Sequence, residues 1–316
     1  MAALPEPDVL PEPELGALSE RLAATRLVTL TGPGGIGKSR LAARLAESTR
    51  CTGAPVHRVD FSGCPDAALV PYTVAAELHT APAPGTDPVR AVLDLLADSR
   101  GLLVLDTCEH VLTGCAYLVG RLHDSCPGLR ILTTSRRPLG VPDEDRVEVP
   151  PLPRDRTAGL LQEHAASYGV ELPGCWAGRL AGQLDGDPLS TLLAARSLRQ
   201  LTARQLHAAL GAPGGRFAVL TDGPGDPARH RTLLQAVEWS HELCSRAERL
   251  LWAQLSAFTG EFTAEQVRTV FPDGSSLASL VSSSVVHARG DGTYRLPLAH
   301  REYGKLRLAG LGDGLG

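Results

Sequence analysis

Between an apolar run, RLVTL, and an alanine-rich helical stretch lies TGPGGIGKS, residues 31–39. Gly32, Gly37, Lys38 and Ser39 fall at the spacing G-x-x-x-x-G-K-[ST], with Gly34 and Gly35 between them. Glycines allow successive backbone N–H groups to turn inward and line a nest for phosphate oxygens. A helix starting near Lys38 would add its positive dipole end. Lysine is a compact cation on a flexible stem, suited to reach between the β- and γ-phosphates. The chain holds two lysines against 29 arginines, so a lysine here runs against its own composition. The expected cradle comprises Gly32, Pro33, Gly34, Gly35, Ile36, Gly37, Lys38, Ser39 and Arg40, with the Ser39 hydroxyl as a Mg²⁺ ligand. The competing reading is an accidental glycine-rich turn.

A phosphate cradle of this kind needs a carboxylate from another strand on the metal side. The run LLVLD ends on Asp106, where an acid at a strand's carboxyl end can hold the Mg²⁺ shell. Its alternative role is a cap on the next helix. Glu109, three residues on, is the nearest acid able to orient a water, or else a solvated glutamate at a helix start. The run ILTTSR delivers Arg136 just past another strand, where a fixed cation can sense a γ-phosphate. Lys38, Asp106, Glu109 and Arg136 are therefore the candidate catalytic set, with surface arginine the plain alternative for Arg136. In an open parallel sheet, ligands bind outside the carboxyl ends of the strands, where these groups fall.

The elements that would position them are short β-type runs at 27–30, 56–61, 101–106, 129–135 and 146–149, with helical stretches at 39–48 and 111–126. Such alternation predicts a parallel sheet flanked by helices. A short helix over 14–24 would precede it, behind a Leu-Pro-Glu-Pro lead-in expected to be poorly ordered. After PPLPRD the pattern turns helical through residue 210, and TDGPGDPARH (221–230) reads as a linker. Three helices, with TAEQVRTVF as the third, and a hairpin around Gly-Asp-Gly then supply the parts of a winged helix. The predicted organisation is a lead-in and helix (1–24), an α/β P-loop NTPase domain (25–154), a helical domain with linker (155–228), a winged-helix domain (229–311) and a flexible tail (312–316).

Composition narrows the function classes. A net charge of −4 exerts no global pull toward nucleic acid, and the third winged-helix helix offers only Arg268, so direct nucleic-acid binding by this chain is not expected. The sequence contains no apolar run of the roughly 18 residues a membrane span needs. Seven cysteines, an odd count without CxxC pairs, fit a reducing compartment. A cytoplasmic protein with no membrane partner is expected. Cys108, His110, Cys115, His123 and Cys126 suggest a metal cluster, but their spacings match no zinc pattern and a shared buried helix face explains them better. Hydrolase chemistry beyond the nucleotide has no nucleophile motif to support it.

The stretches LVTLTGPGGIGKSRLA, LLVLDTCEH, CPGLRILTTSRRPLG and RHRTLLQAVEWS resemble the NB-ARC type of STAND nucleotide switches. The likeness is to the ATPase portion of actinobacterial AfsR/SARP and large LuxR-type transcription regulators, over roughly residues 8 to 308. It implies a P-loop domain, a helical domain and a winged helix. It also implies bound ADP or ATP with Mg²⁺, slow hydrolysis if any, and exchange of ADP for ATP that opens the protein for self-association or a regulatory protein partner. Similar proteins carry cysteines near 108–126 without a metal. The family's Gly-Leu-Pro-Leu motif, whose proline lies against adenine, stands here as GDPLS, keeping Pro188 but with Asp187 in place of an apolar residue. Pro11 stands where the family has an arginine of its Gly-Arg-Glu element, and Leu298 where it has the acid of its ADP lock. The resemblance thus implies intact phosphate chemistry with a weakened adenine pocket and lock. A non-switching, nucleotide-bound scaffold and a DNA-binding regulator using its winged helix are the alternatives.

Overall fold

Runs of leucine and β-branched residues too short for helices form the strands, and those buried on both faces read as continuous apolar segments. The computed structural model describes residues 12–80, 87–223, 231–271 and 276–313. The Leu-Pro-Glu-Pro lead-in with Pro11, most of the 221–230 linker and the last residues of the 312–316 tail lie outside these. By contacts the chain divides into two compact units, one of Leu10–Gly32 and Gly37–Val149, the other of Pro33–Ile36 and Pro150–Gly316.

The first unit holds β1 (Leu27–Thr31), β2 (Val56–Asp60), β3 (Leu102–Asp106), β4 (Arg130–Thr134) and β5 (Asp145–Glu148) in one sheet, ordered β2-β3-β4-β1-β5. Every pairing is parallel. Strands β1 and β3 are buried at each position, as a sheet covered on both faces requires. Around it lie α1 (Glu12–Thr25), α2 (Lys38–Cys51), α3 (Val70–Glu77), α4 (Pro88–Leu96) and α5 (Leu112–Ser125). Each strand lies within a residue or two of its expected position. Helices α3 and α4 are not among those the sequence pattern picks out. Both are short, and α4 starts at an Asp-Pro pair. Asp87 caps it, accepting from Val89 N at 3.0 Å, and Pro88 takes the first helical position, where a missing N–H costs nothing.

The second unit contains α6 (Arg154–Ser167), α7 (Gly174–Leu184), α8 (Pro188–Ser197), α9 (Ala203–Gly211) and α10 (Gly215–Val219). These are followed by α11 (Leu233–Glu242), α12 (Arg246–Leu255), β6 (Phe262–Thr263), α13 (Ala264–Val270), α14 (Leu277–Ser282), β7 (His287–Ala288), β8 (Thr293–Arg295) and α15 (Leu298–Asp313). Capping boxes at Thr202, Ser245 and Thr263 start α9, α12 and α13. The strands form an antiparallel ribbon ordered β6-β8-β7. Where three helices before the hairpin are expected, a further helix, α14, intervenes. It spans only six residues, LASLVS, too few to show a helical period in sequence. Among the described residues no helix is long and apolar enough to cross a membrane.

Candidate functional site

All five strands of the first unit end on a polar residue: Thr31, Asp60, Asp106, Thr134 and Glu148. Parallel alignment gathers these ends along one edge. There the chain leaves β1 through the loop 32–37 and enters α2. Gly37 caps that helix at φ 100° and Gly35 sits at φ 89°, a region that side-chain-bearing residues rarely adopt. No acid lies in the first turn of α2, so its positive pole is not neutralised from within. Lys38 opens the helix almost fully buried, its Nζ donating to Gly32 O at 2.8 Å. The ammonium thus folds back over the loop it follows.

Ser39 Oγ donates to Asp106 Oδ1 at 2.7 Å, and Thr134 Oγ1 donates to the same oxygen. Thr134 Oγ1 also accepts from Thr107 N at 2.9 Å, so one hydroxyl fixes the strand end and its carboxylate together. Asp106 is 2% exposed, and Arg58 Nη2 donates to its other oxygen at 2.8 Å. Arg58 and Thr134 are participants the sequence reading misses. Their signal is present in outline: an arginine within a strand, two residues before its end, and a threonine at the strand end beside that of Asp106.

Arg136 and Glu109 pair with each other, Nε to Oε1 at 3.2 Å, with side chains only 3% and 6% exposed. The two therefore form one buried ion pair rather than two independent groups. Arg40 is half-buried on α2. Pro188, by contrast, belongs to the second unit, at the first position of α8. Asp187 before it caps that helix through Ser190 N at 3.0 Å and Leu189 N at 3.3 Å. Burial pushes this carboxyl's pKa up, against the capping bonds, which lower it. The acid in GDPLS is thus a helix cap. The loop residues Pro33, Gly34 and Ile36 line a cavity of that same unit with Asp187, Arg295 and His300. At Leu298, where the sequence lacks an acid, the backbone N donates to Asp185 Oδ2 at 2.8 Å, and Arg295 pairs with the same carboxylate. A carboxylate thus reaches this position from the end of α7.

Cys108, Cys115 and Cys126 are buried in the core of the first unit. Burial, and after it Cys115, pushes the Cys108 thiol well above its ordinary pKa, which keeps it protonated. Among the described residues no group of three or more His, Cys, Asp or Glu side chains could hold a metal ion.

A parallel sheet with a glycine-rich loop after β1 and an acid ending β3 is the fold of a P-loop ATPase. Solved structures share it. The Walker-type ATPase PABY2304 of Pyrococcus abyssi superposes with a TM-score of 0.62 at 15% identity, covering 94% of this chain and 95% of that one. The ORC2 protein of Aeropyrum pernix, solved in ADPNP–ADP complexes, gives 0.58 at 14% identity, covering 99% and 96%. At such identities the likeness concerns the fold alone. No protein-family model matches the chain.

Sequence relatives are nearer. Uncharacterized protein Rv0894 of Mycobacterium tuberculosis is 31% identical over 330 residues, 95% of this chain and 81% of that protein. The chain belongs to the same family. Putative HTH-type transcriptional regulator Rv0890c of the same organism is 32% identical over 310 residues, 92% of this chain and 35% of that protein. The chain therefore spans about a third of the length of that regulator.

Proposed function

We propose that this chain is an ATP/ADP-binding switch module of the STAND class and NB-ARC type, acting in signal-dependent transcriptional regulation in the cytoplasm. The observation that carries this reading is the buried Lys38 at the N-terminus of α2, which no side chain caps, beside the Ser39–Asp106–Thr134 cluster. Loop backbone in glycine conformations and an acid-free helix start suit phosphate oxygens. A hydroxyl and a carboxylate within 2.7 Å of each other are hard oxygen donors of the kind Mg²⁺ takes. Ser39 and Asp106 would hold that ion, which would neutralise phosphate charge. Lys38 would contact the phosphates, and Pro188 would lie against the base.

Arg136 and Glu109 would read the terminal phosphate as a pair, since each already neutralises the other. A chain whose sensing cation is tied to its water-orienting acid is suited to slow hydrolysis or none. The regulatory role rests on the HTH-type relative, action through a protein partner on the charge pattern, and self-association on the resemblance to STAND switches. We assign residues 25–154, 155–228 and 229–311 to P-loop, helical and winged-helix domains. In that assignment the helix before the hairpin is α14, LASLVS, which carries no basic residue. That supports protein contacts over direct DNA reading.

The test is nucleotide affinity. A charge-assisted contact is worth about 1.5–3 kcal/mol, so Lys38→Ala should weaken ATP binding roughly ten- to a hundredfold by calorimetry. Equal affinity in both proteins sinks the reading.

A further inference from the structure

Asp106 already has a cation beside it before any metal is considered. Its Oδ1 accepts from Ser39 and Thr134, and its Oδ2 is held by the Arg58 guanidinium at 2.8 Å. Strand β2 pairs with β3 in the register Arg58↔Val104 and Asp60↔Asp106, so Arg58 is fixed one strand away by backbone bonds. The carboxylate is almost fully buried, while the Arg58 side chain is 41% exposed at the sheet edge. A short charge-assisted bond to a desolvated acid is the strong kind. Its effect on a second cation is direct. A lone carboxylate attracts a divalent ion, whereas one already neutralised at hydrogen-bond distance attracts it far less and adds the repulsion of the guanidinium.

We propose that Arg58 is the resident counter-ion of Asp106 and sets how far nucleotide binding depends on Mg²⁺. The inference rests on the nucleotide reading above and deepens it. Arg58 supplies at the carboxylate the positive charge that the ion would otherwise bring. The free guanidinium edge, open to solvent, is a planar donor able to receive phosphate oxygens. The ligand taken is then a nucleoside di- or triphosphate in its metal-poor form, with Mg²⁺ joining weakly. Arg58 acts on the metal through Asp106 and is a positioning residue in that sense.

The test compares the full chain with Arg58→Met and Arg58→Lys, changes at a side chain exposed enough to leave the core intact. ATP affinity is measured by calorimetry in excess Mg²⁺ and again in EDTA. For the wild type the two values should agree within about threefold. Arg58→Met should bind about ten- to a hundredfold more tightly with Mg²⁺ than without it, the range of one charge-assisted contact. Arg58→Lys should keep the wild-type pattern. In parallel, Mn²⁺ binding to nucleotide-free protein is followed by electron paramagnetic resonance, and Arg58→Met should raise that affinity. A wild type strongly dependent on Mg²⁺, with Arg58→Met unchanged in both measurements, overturns the proposal. Absence of ATP binding by all three proteins overturns the nucleotide reading instead, and the Mn²⁺ comparison still decides the role of Arg58.

Discussion

Thr29, Thr133, Thr134 and Asp106 are buried within a parallel sheet, whereas the buried polar groups of the second unit, such as Arg216, His241, Glu248 and His300, ride on or next to helices. In the sheet, strand register decides which polar groups meet. Thr29 and Thr133 are direct register partners, and their hydroxyls lie 2.7 Å apart. Among the helices, packing decides. Arg216 on α10 pairs with Glu302 on α15 at 3.3 Å, and Trp252 Nε1 on α12 donates to His300 O at 2.8 Å. Polar groups in the first unit collect at one edge because every strand points the same way. Those of the second are scattered, each tying a particular pair of elements. The first arrangement concentrates polar groups, and the second spreads them.

The sharpest break in that comparison should come from Trp252. Its ring is fully buried, with the rings of His241, His300 and Tyr303 within 5.7 Å, centroid to centroid. Trp252→Ala should cost about 3–5 kcal/mol, from lost burial, a cavity and the lost bond to His300 O, read as a lower urea midpoint. A loss below about 1 kcal/mol would show that no single side chain ties these helices together.

The threonine pair tests the sheet. Thr29→Val alone leaves the Thr133 hydroxyl without its partner and should cost about 1–3 kcal/mol. Thr29→Val with Thr133→Val replaces both by groups of similar shape and should be close to neutral. A double variant costing the sum of the two singles would mean that the pair acts through something other than mutual satisfaction.

The smallest effect should be a pH dependence of the second unit. Burial, and after it Arg307 and Arg249, hold the His241 ring down to about 4. The unfolded ring takes its proton near 6.5, the folded ring only near 4, so the unfolded chain binds more protons in between. Stability from this group is present above the upper value and is lost as pH falls toward the lower one. Allowing for solvent along the cleft it lines with Arg246 and Leu250, the loss should be about 1–2 kcal/mol. Urea midpoints of wild type and His241→Phe between these pH values check it, and the variant should lose most of the slope. An equal slope in both would place the titration elsewhere.

Much of the first unit is legible in the amino-acid order. Runs of five residues such as LVTLT and LLVLD, each ending on a polar residue, leave little choice of element or direction. The loop 32–37 is legible because its glycines and Lys38 are required by local geometry. Helices α3 and α14 escape because each is too short to display a period, and neighbours rather than propensity hold them; α4 escapes although Val89, Val92, Leu93 and Leu96 give it a buried face at helical spacing. Asp187 is legible only in part. The sequence shows an acid in place of an apolar residue, and that its carboxylate turns back to cap α8 is seen only in the fold.

What the sequence determined by itself was the chemistry that sits close along the chain: the glycine loop, the lysine and serine that follow it, and an acid at a strand's end. The partners of those groups were decided only in three dimensions. Arg58 meets Asp106 across 48 positions, Arg136 meets Glu109 across 27, and Asp185 reaches Leu298 N across 113. Spacing and residue type report what a segment can do alone. Charge neutralisation and hydrogen-bond satisfaction depend on which segments are packed side by side, and that is a property of the folded chain.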